Sequence, residues 1–230
     1  MDLSLPIEQL KSVGPRNLPR LAKLGIKSVK DLLWHFPVRY EDYSRVIPIS
    51  EIEPGQKVNI QGEVLKINNR MIFPKRMSIT SALVGDETGA VKVVWFNQSF
   101  IANSLREGTL VSLAGKANLD KHGLYLSSPT YEKINDIEFK NYNLTHTGGL
   151  IPVYPDTEGV TSKYLRFLIK PILKDLDVAD PLPEKIISKH KLPSLKDAVY
   201  KIHYPSNNEE VQQAKERLAF DDLLLFQLKA

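Results

Sequence analysis

Between Lys57 and Lys133 the apolar residues recur at every second position, in short runs separated by turn residues. This spacing fits β-strands that bury one face and fits no amphipathic helix. In "KVNIQGEVL" the alternating set is Val58, Ile60, Gly62 and Val64. In "RMSITSALV" it reads Met77, Ile79, Ser81 and Leu83. "GDETG" turns the chain into "AVKVVWF", "NQSFIANSLREG" predicts a short helix closed by Gly108, and "TLVSLAGKANL" and "GLYLSSPTYEKI" follow as two more strands joined by "DKHG". Gly62 and Gly115 fall inside strands, where a Cβ would crowd a sharply bent or bulged corner.

Five strands with a helix between the third and the fourth is the order of an OB-fold barrel, and residues 46–148 are assigned to one. Different periods flank it. Over residues 1–45, Leu10, then Leu18, Leu21 and Leu24, then Val29, Leu32 and Leu33 lie at helical spacing. Gly25 can end one helix and Ser28 can cap the next. The result is a helical hairpin unit, which either presents free backbone N–H groups to a phosphate or is only a packing unit. "HFPVRYEDYS" (35–44) reads as a Pro-broken linker whose Phe36, Tyr40 and Tyr43 pack one domain on the next. Residues 149–230 form a mainly helical segment, with a helix from about Thr161 and a last one capped by Asn207 or Asn208. Leu223, Leu224, Leu225, Phe226 and Leu228 make the end of that helix apolar nearly all round, which predicts burial on an earlier domain or on a segment that follows. The fold class is thus α+β and multi-domain.

Composition narrows the function. With no cysteine there are no disulfides and no thiolate metal sites. No apolar run approaches the ~20 residues of a membrane span, and no phosphate loop, activated nucleophile or metal-ligand spacing of histidines stands out, so neither catalytic nor metal-binding residues are assigned. A net charge of +4 is too small to mark a polyanion binder by itself. A local patch says more: Lys66, Arg70, Lys75 and Arg76 occur with no acidic residue between Glu63 and Asp86. Trp95 should face the core, because side chains alternate along a strand. Phe96 and Phe100, four apart across a strand-to-helix corner, either fill the core or present flat rings to unpaired bases. Arg70, Lys75, Arg76 and Lys116 are the candidate phosphate contacts, whereas Lys92 and Lys121 read as solvated surface charges.

"VGPRNLPRLAKLGIKSVKDLLWHFPVRYEDYS", the segment with "GDETGAVKVVWFNQSF", "LIPVYPDTEGVTSKYLR" and "IHYPSNNEEVQQAKERLAFDDLLLFQL" follow one another in the order seen in RecG, the bacterial ATP-dependent DNA helicase family, and the chain resembles its N-terminal region throughout. The resemblance implies a wedge inserted at a DNA fork or Holliday junction, with rings at Phe96 and Phe100 stacking on bases orphaned at the branch. It also implies a cytoplasmic, nucleoid-associated bacterial protein of DNA repair and recombination. The ATP- and Mg-dependent motor would lie in C-terminal helicase domains outside these residues, leaving this part non-catalytic and without a cofactor, its partners being branched DNA and those helicase domains. The residues by themselves also admit a general single-strand-binding OB module, or an interaction scaffold docking through the last helix.

Overall fold

The computed structural model describes residues 2–73, 76–134 and 147–229. In chain order they form helices α1 (Leu18–Lys23) and α2 (Val29–Leu33), strand β1 (Arg39–Tyr43), strands β2 (Lys57–Ile72), β3 (Met77–Asp86) and β4 (Gly89–Phe96), helix α3 (Phe100–Ser104), strands β5 (Leu110–Asp120), β6 (Gly123–Ser127), β7 (Thr130–Lys133) and β8 (Gly149–Val153), and helices α4 (Ser162–Lys174), α5 (Glu184–His190), α6 (Leu195–His203) and α7 (Asn208–Lys229). Single 3-10 turns cover Ile7–Gln9 and Ile49–Glu51. The expected linker contributes β1, which pairs with β8 in a two-stranded sheet. The chain divides into two compact units: Met1–Glu41 with Pro152–Ala230, and Asp42–Ile151. Among the described residues no helix is long and apolar enough to cross a membrane.

The Asp42–Ile151 unit is built on a six-stranded sheet. Its pairings run in a circuit: β2 with β3, β3 with β4, β4 with β6, β6 with β5, and β5 back to β2. Only β4 and β6 run parallel. "GLYLSSPTYEKI", expected as one strand, is two. Ser128 takes a left-handed φ of 46° and Pro129 follows, so the strand breaks and β7 continues as a separate neighbour of β5. Val58, Ile60, Val64, Val84, Val91, Val93, Trp95, Val111, Leu113 and Leu126 fill the interior. The two strand glycines stand where backbones nearly touch. A Cβ on Gly62 would lie 2.5 Å from the Gly85 carbonyl oxygen, and one on Gly115 would lie 2.8 Å from Pro129 Cβ.

The inward face of β3 is not the one its apolar residues suggested. Thr80, Ala82 and Val84 are buried on the core side, while Leu83 is exposed and Ile79 lies on the outer face. The reason is a polar seam at this end of the strand. Asn69 Nδ2 donates to Ser78 Oγ and Thr80 Oγ1, both at 2.8 Å, and the Thr80 hydroxyl donates to the Gln98 carbonyl at 3.0 Å. A register shift between Val64 and Lys66 in β2 moves the alternation in the same region, leaving Leu65 exposed.

The other unit joins both ends of the chain around one core, which the division into consecutive regions did not anticipate. Leu21, Val29, Leu32 and Leu33 pack with Leu165, Ile169, Ala198, Val199 and Ala214. Local signals placed its helix starts well. Ser28 accepts from Asp31 N in a reciprocal capping box, Thr161 accepts from Tyr164 N, and Asn207 accepts from Glu210 N. The end of α7 departs from expectation: Leu223, Leu225, Phe226 and Leu228 are exposed, Phe226 at 70%.

His203 sits at the centre of this core with no exposed surface. One ring nitrogen, Nε2, lies 2.8 Å from the Leu33 carbonyl and so carries the proton, while Nδ1 accepts from the Tyr154 hydroxyl at 2.8 Å. Burial holds the imidazole neutral and lowers its pKa from 6.5 to about 4. The unfolded chain therefore takes up a proton below pH 6.5 that the fold resists. The stability from His203 is complete above pH 6.5 and is lost as the pH falls towards 4. Denaturant midpoints measured from pH 7.5 to 4.5 should fall more steeply for the natural chain than for His203→Gln; parallel curves would remove His203 as the cause.

Candidate nucleic-acid interface

Phe96 ends β4 and Phe100 opens α3, and the chain turns between them. The turn depends on Asn97, which takes a left-handed φ of 55°, a conformation tolerated by Asn better than by most residues with a side chain. Its backbone N–H donates to the Ser78 carbonyl at 2.7 Å, and its Oδ1 accepts from Ser78 N at 3.3 Å. The corner is thus pinned to β3 from both backbone and side chain.

The three rings then separate. Trp95 is 1% exposed, and its indole N–H donates to the Pro129 carbonyl at 2.8 Å. Phe96 is 39% exposed and Phe100 57%. The first therefore belongs to the core and the other two lie at the surface.

Strand register sets what lies beside Phe96. Arg70 of β2 pairs with Ile79 of β3, and Ile79 with Phe96 of β4, so the three form one row across the sheet. The next row on this face runs Asn68, Ser81, Val94 and Ser127, and the one after it Lys66, Leu83, Lys92, Tyr125 and Asn118. Between Phe96 and the turn after β5 these rows line a hollow of about 580 Å³. Arg70, Phe96, Lys92, Tyr125 and His122 all border it.

The candidate cations do not all converge here. Arg70 borders the hollow. Arg76 lies in the β2–β3 turn with a left-handed φ of 47°. Lys116 is on β5 opposite Lys57 and does not line the hollow. Lys75 lies outside the described residues. Lys92, read from sequence as a solvated charge, borders the hollow instead. Tyr125 and Asn97 carried no sequence signal beyond strand alternation and a strand-to-helix corner. Among the described residues, no group of His, Cys, Asp and Glu could hold a metal ion.

Exposed rings beside unpaired cations on a curved sheet form the kind of surface on which bases stack while phosphates are held electrostatically. Comparison with known proteins gives the family. The profile of the RecG wedge domain matches residues 6–176, and the chain belongs to that family. It is 32% identical to the ATP-dependent DNA helicase RecG of Thermotoga maritima over 99% of its own length and 29% of that protein. With the Bacillus subtilis helicase of the same name the identity is 31%, over 97% of this chain and 31% of that one. A solved structure of RecG bound to a three-way DNA junction superposes on 100% of this chain and 31% of its own, with a TM-score of 0.82 and 30% identity. The chain thus spans under a third of the relatives it matches.

Proposed function

We infer that this chain is the branch-binding wedge of a RecG-type helicase. Its circuit of β2, β3, β4, β6 and β5 is an OB-type barrel, and Phe96 and Phe100 cover the faces of the bases left unpaired where a duplex divides. Arg70 and Arg76 hold phosphates beside them, with Lys116 a separate contact on β5. The hydrolysis of ATP with Mg, and the repair of stalled forks and Holliday junctions, belong to the longer helicase of which this is the binding part. The observation that carries the reading is the corner at Asn97, which turns two half-exposed phenyl rings outward in a chain that is similar along its whole length to RecG bound to a three-way junction. Neither ring returns much folding energy to the chain when left this exposed.

A binding titration tests it. The chain should bind a three-way DNA junction more tightly than a linear duplex of equal length, and both affinities should fall with salt because phosphate contacts release counterions. Equal affinities for the two DNAs would turn the reading into a general single-strand module. No binding near physiological salt would leave a scaffold that docks through the exposed end of α7.

A further inference from the structure

The hollow beside Phe96 is larger than a single stacking ring requires, and its chemistry is ordered. Its floor is apolar: Ile79 and Val94 face outward yet are only 9% and 8% exposed, because neighbouring side chains cover them. Its far wall is Tyr125, which must face outward since Leu126 is wholly buried in the core. Its rims carry charge, with Arg70 in the row of Phe96 and Lys92 paired with Tyr125.

None of these groups is satisfied within the fold. Among the described residues Arg70 and Lys92 have no carboxylate partner, and the Tyr125 hydroxyl has no hydrogen-bond partner. Elsewhere in the chain arginines do find acids: Arg39 lies 3.7 Å from Glu41 and Arg45 3.6 Å from Glu51. The carboxylate bordering the hollow, Asp120, accepts the backbone N–H of His122 at 2.7 Å. Lys92 and Phe96 are four residues apart on β4, a span of roughly 13 Å along the strand. A volume of about 580 Å³ lies within the range of small-ligand clefts.

An apolar floor, an aromatic wall and two uncommitted cations suit one ligand unit well: a nucleotide, with its base on the floor and its phosphate at the rim. We propose that this hollow is a third nucleotide subsite, which takes the unpaired DNA strand as it leaves Phe96, with Tyr125 as a further stacking ring and Lys92 as its phosphate contact. The inference rests on the nucleic-acid reading above and extends it from the branch point to the single-stranded tail.

The test compares Tyr125→Leu, Tyr125→Phe and Lys92→Gln in the full chain by fluorescence anisotropy. The probes are a short oligothymidylate, a three-way junction with one single-stranded tail, and the same junction fully paired. Tyr125→Leu should weaken the oligothymidylate and the tailed junction by roughly fivefold or more, the worth of one stacked base. Tyr125→Phe should bind as the natural chain does, and the fully paired junction should not distinguish the three variants. Lys92→Gln should flatten the dependence of log affinity on log salt by about 0.7 for the single strand. If Tyr125→Leu does not fold, the Lys92→Gln slope decides the matter, and an unchanged slope overturns the subsite. So does an unchanged affinity of a folded Tyr125→Leu for the tail, or an equal loss on the fully paired junction. If the natural chain prefers no junction yet its oligothymidylate binding falls in Tyr125→Leu, the branch reading fails and the subsite stands.

Discussion

Asp180→Ala is expected to lower folding stability by about 3–5 kcal/mol, because it strands a buried arginine. Arg217 of α7 has no exposed side-chain surface. Its guanidinium donates to both oxygens of Asp180, at 2.9 and 2.5 Å, to both oxygens of Asp221, at 3.0 and 3.1 Å, and to the Pro193 carbonyl at 2.6 Å. Asp180 also accepts from Leu182 N and Leu195 N, so one carboxylate ties the segment after α4 to the start of α6 and to α7. The Arg217 hydrogen bonds lower its pKa to about 2. The pair is therefore at full strength above pH 3.8 and weakens as the pH falls through 2.

Removing the arginine along with the acid separates the cost of a stranded charge from the worth of the pair. Asp180→Leu with Arg217→Met should recover most of the loss, since well-packed apolar groups often replace a buried pair without penalty. Urea unfolding of the two variants reads both effects. A loss below about 1 kcal/mol in Asp180→Ala would mean that solvent reaches the guanidinium and that the pair behaves as a surface one.

That pair shows where sequence reading stops. Asp180 and Arg217 are 37 residues apart and nothing local links them. Features set by near neighbours were legible: the Ser28 cap, the helix from Thr161, the inward Trp95, and the glycines at Gly62 and Gly115. Each follows from a period or a cap that acts within a turn or a strand. The face of β3 was misread because its inner end is polar, and Thr80 and Asn69 are held there by hydrogen bonds that no hydrophobic pattern encodes. Lys92 was misread for a related reason. Whether a strand lysine is solvated or borders a hollow depends on the strand paired beside it, here the parallel β6, and that pairing is long-range. The α7 tail shows the converse. Its apolar composition was plain, but composition says only that Leu225 and Phe226 would gain by burial, and in this chain they remain exposed.

The largest functional effect is expected from Phe96→Ala combined with Phe100→Ala. Each ring that covers an unpaired base is worth about 1–3 kcal/mol, so the pair should account for about 2–6 kcal/mol of the preference for a branch over a linear duplex. Phosphate contacts from Arg70 and Arg76 do not depend on either ring, so binding to linear duplex and its salt dependence should stay as they are. The fold should tolerate the change. The rings are 39% and 57% exposed, and the corner that carries them is held by Asn97 and Ser78 rather than by ring packing. Trp95 offers the contrast one position away: it is wholly enclosed, and losing its ring would open the core. The measurement is a competition between junction and duplex for the double variant, with thermal melting to verify the fold. A folded double variant that keeps its branch preference would assign that preference to phosphate geometry alone and leave the two outward rings without a role in binding.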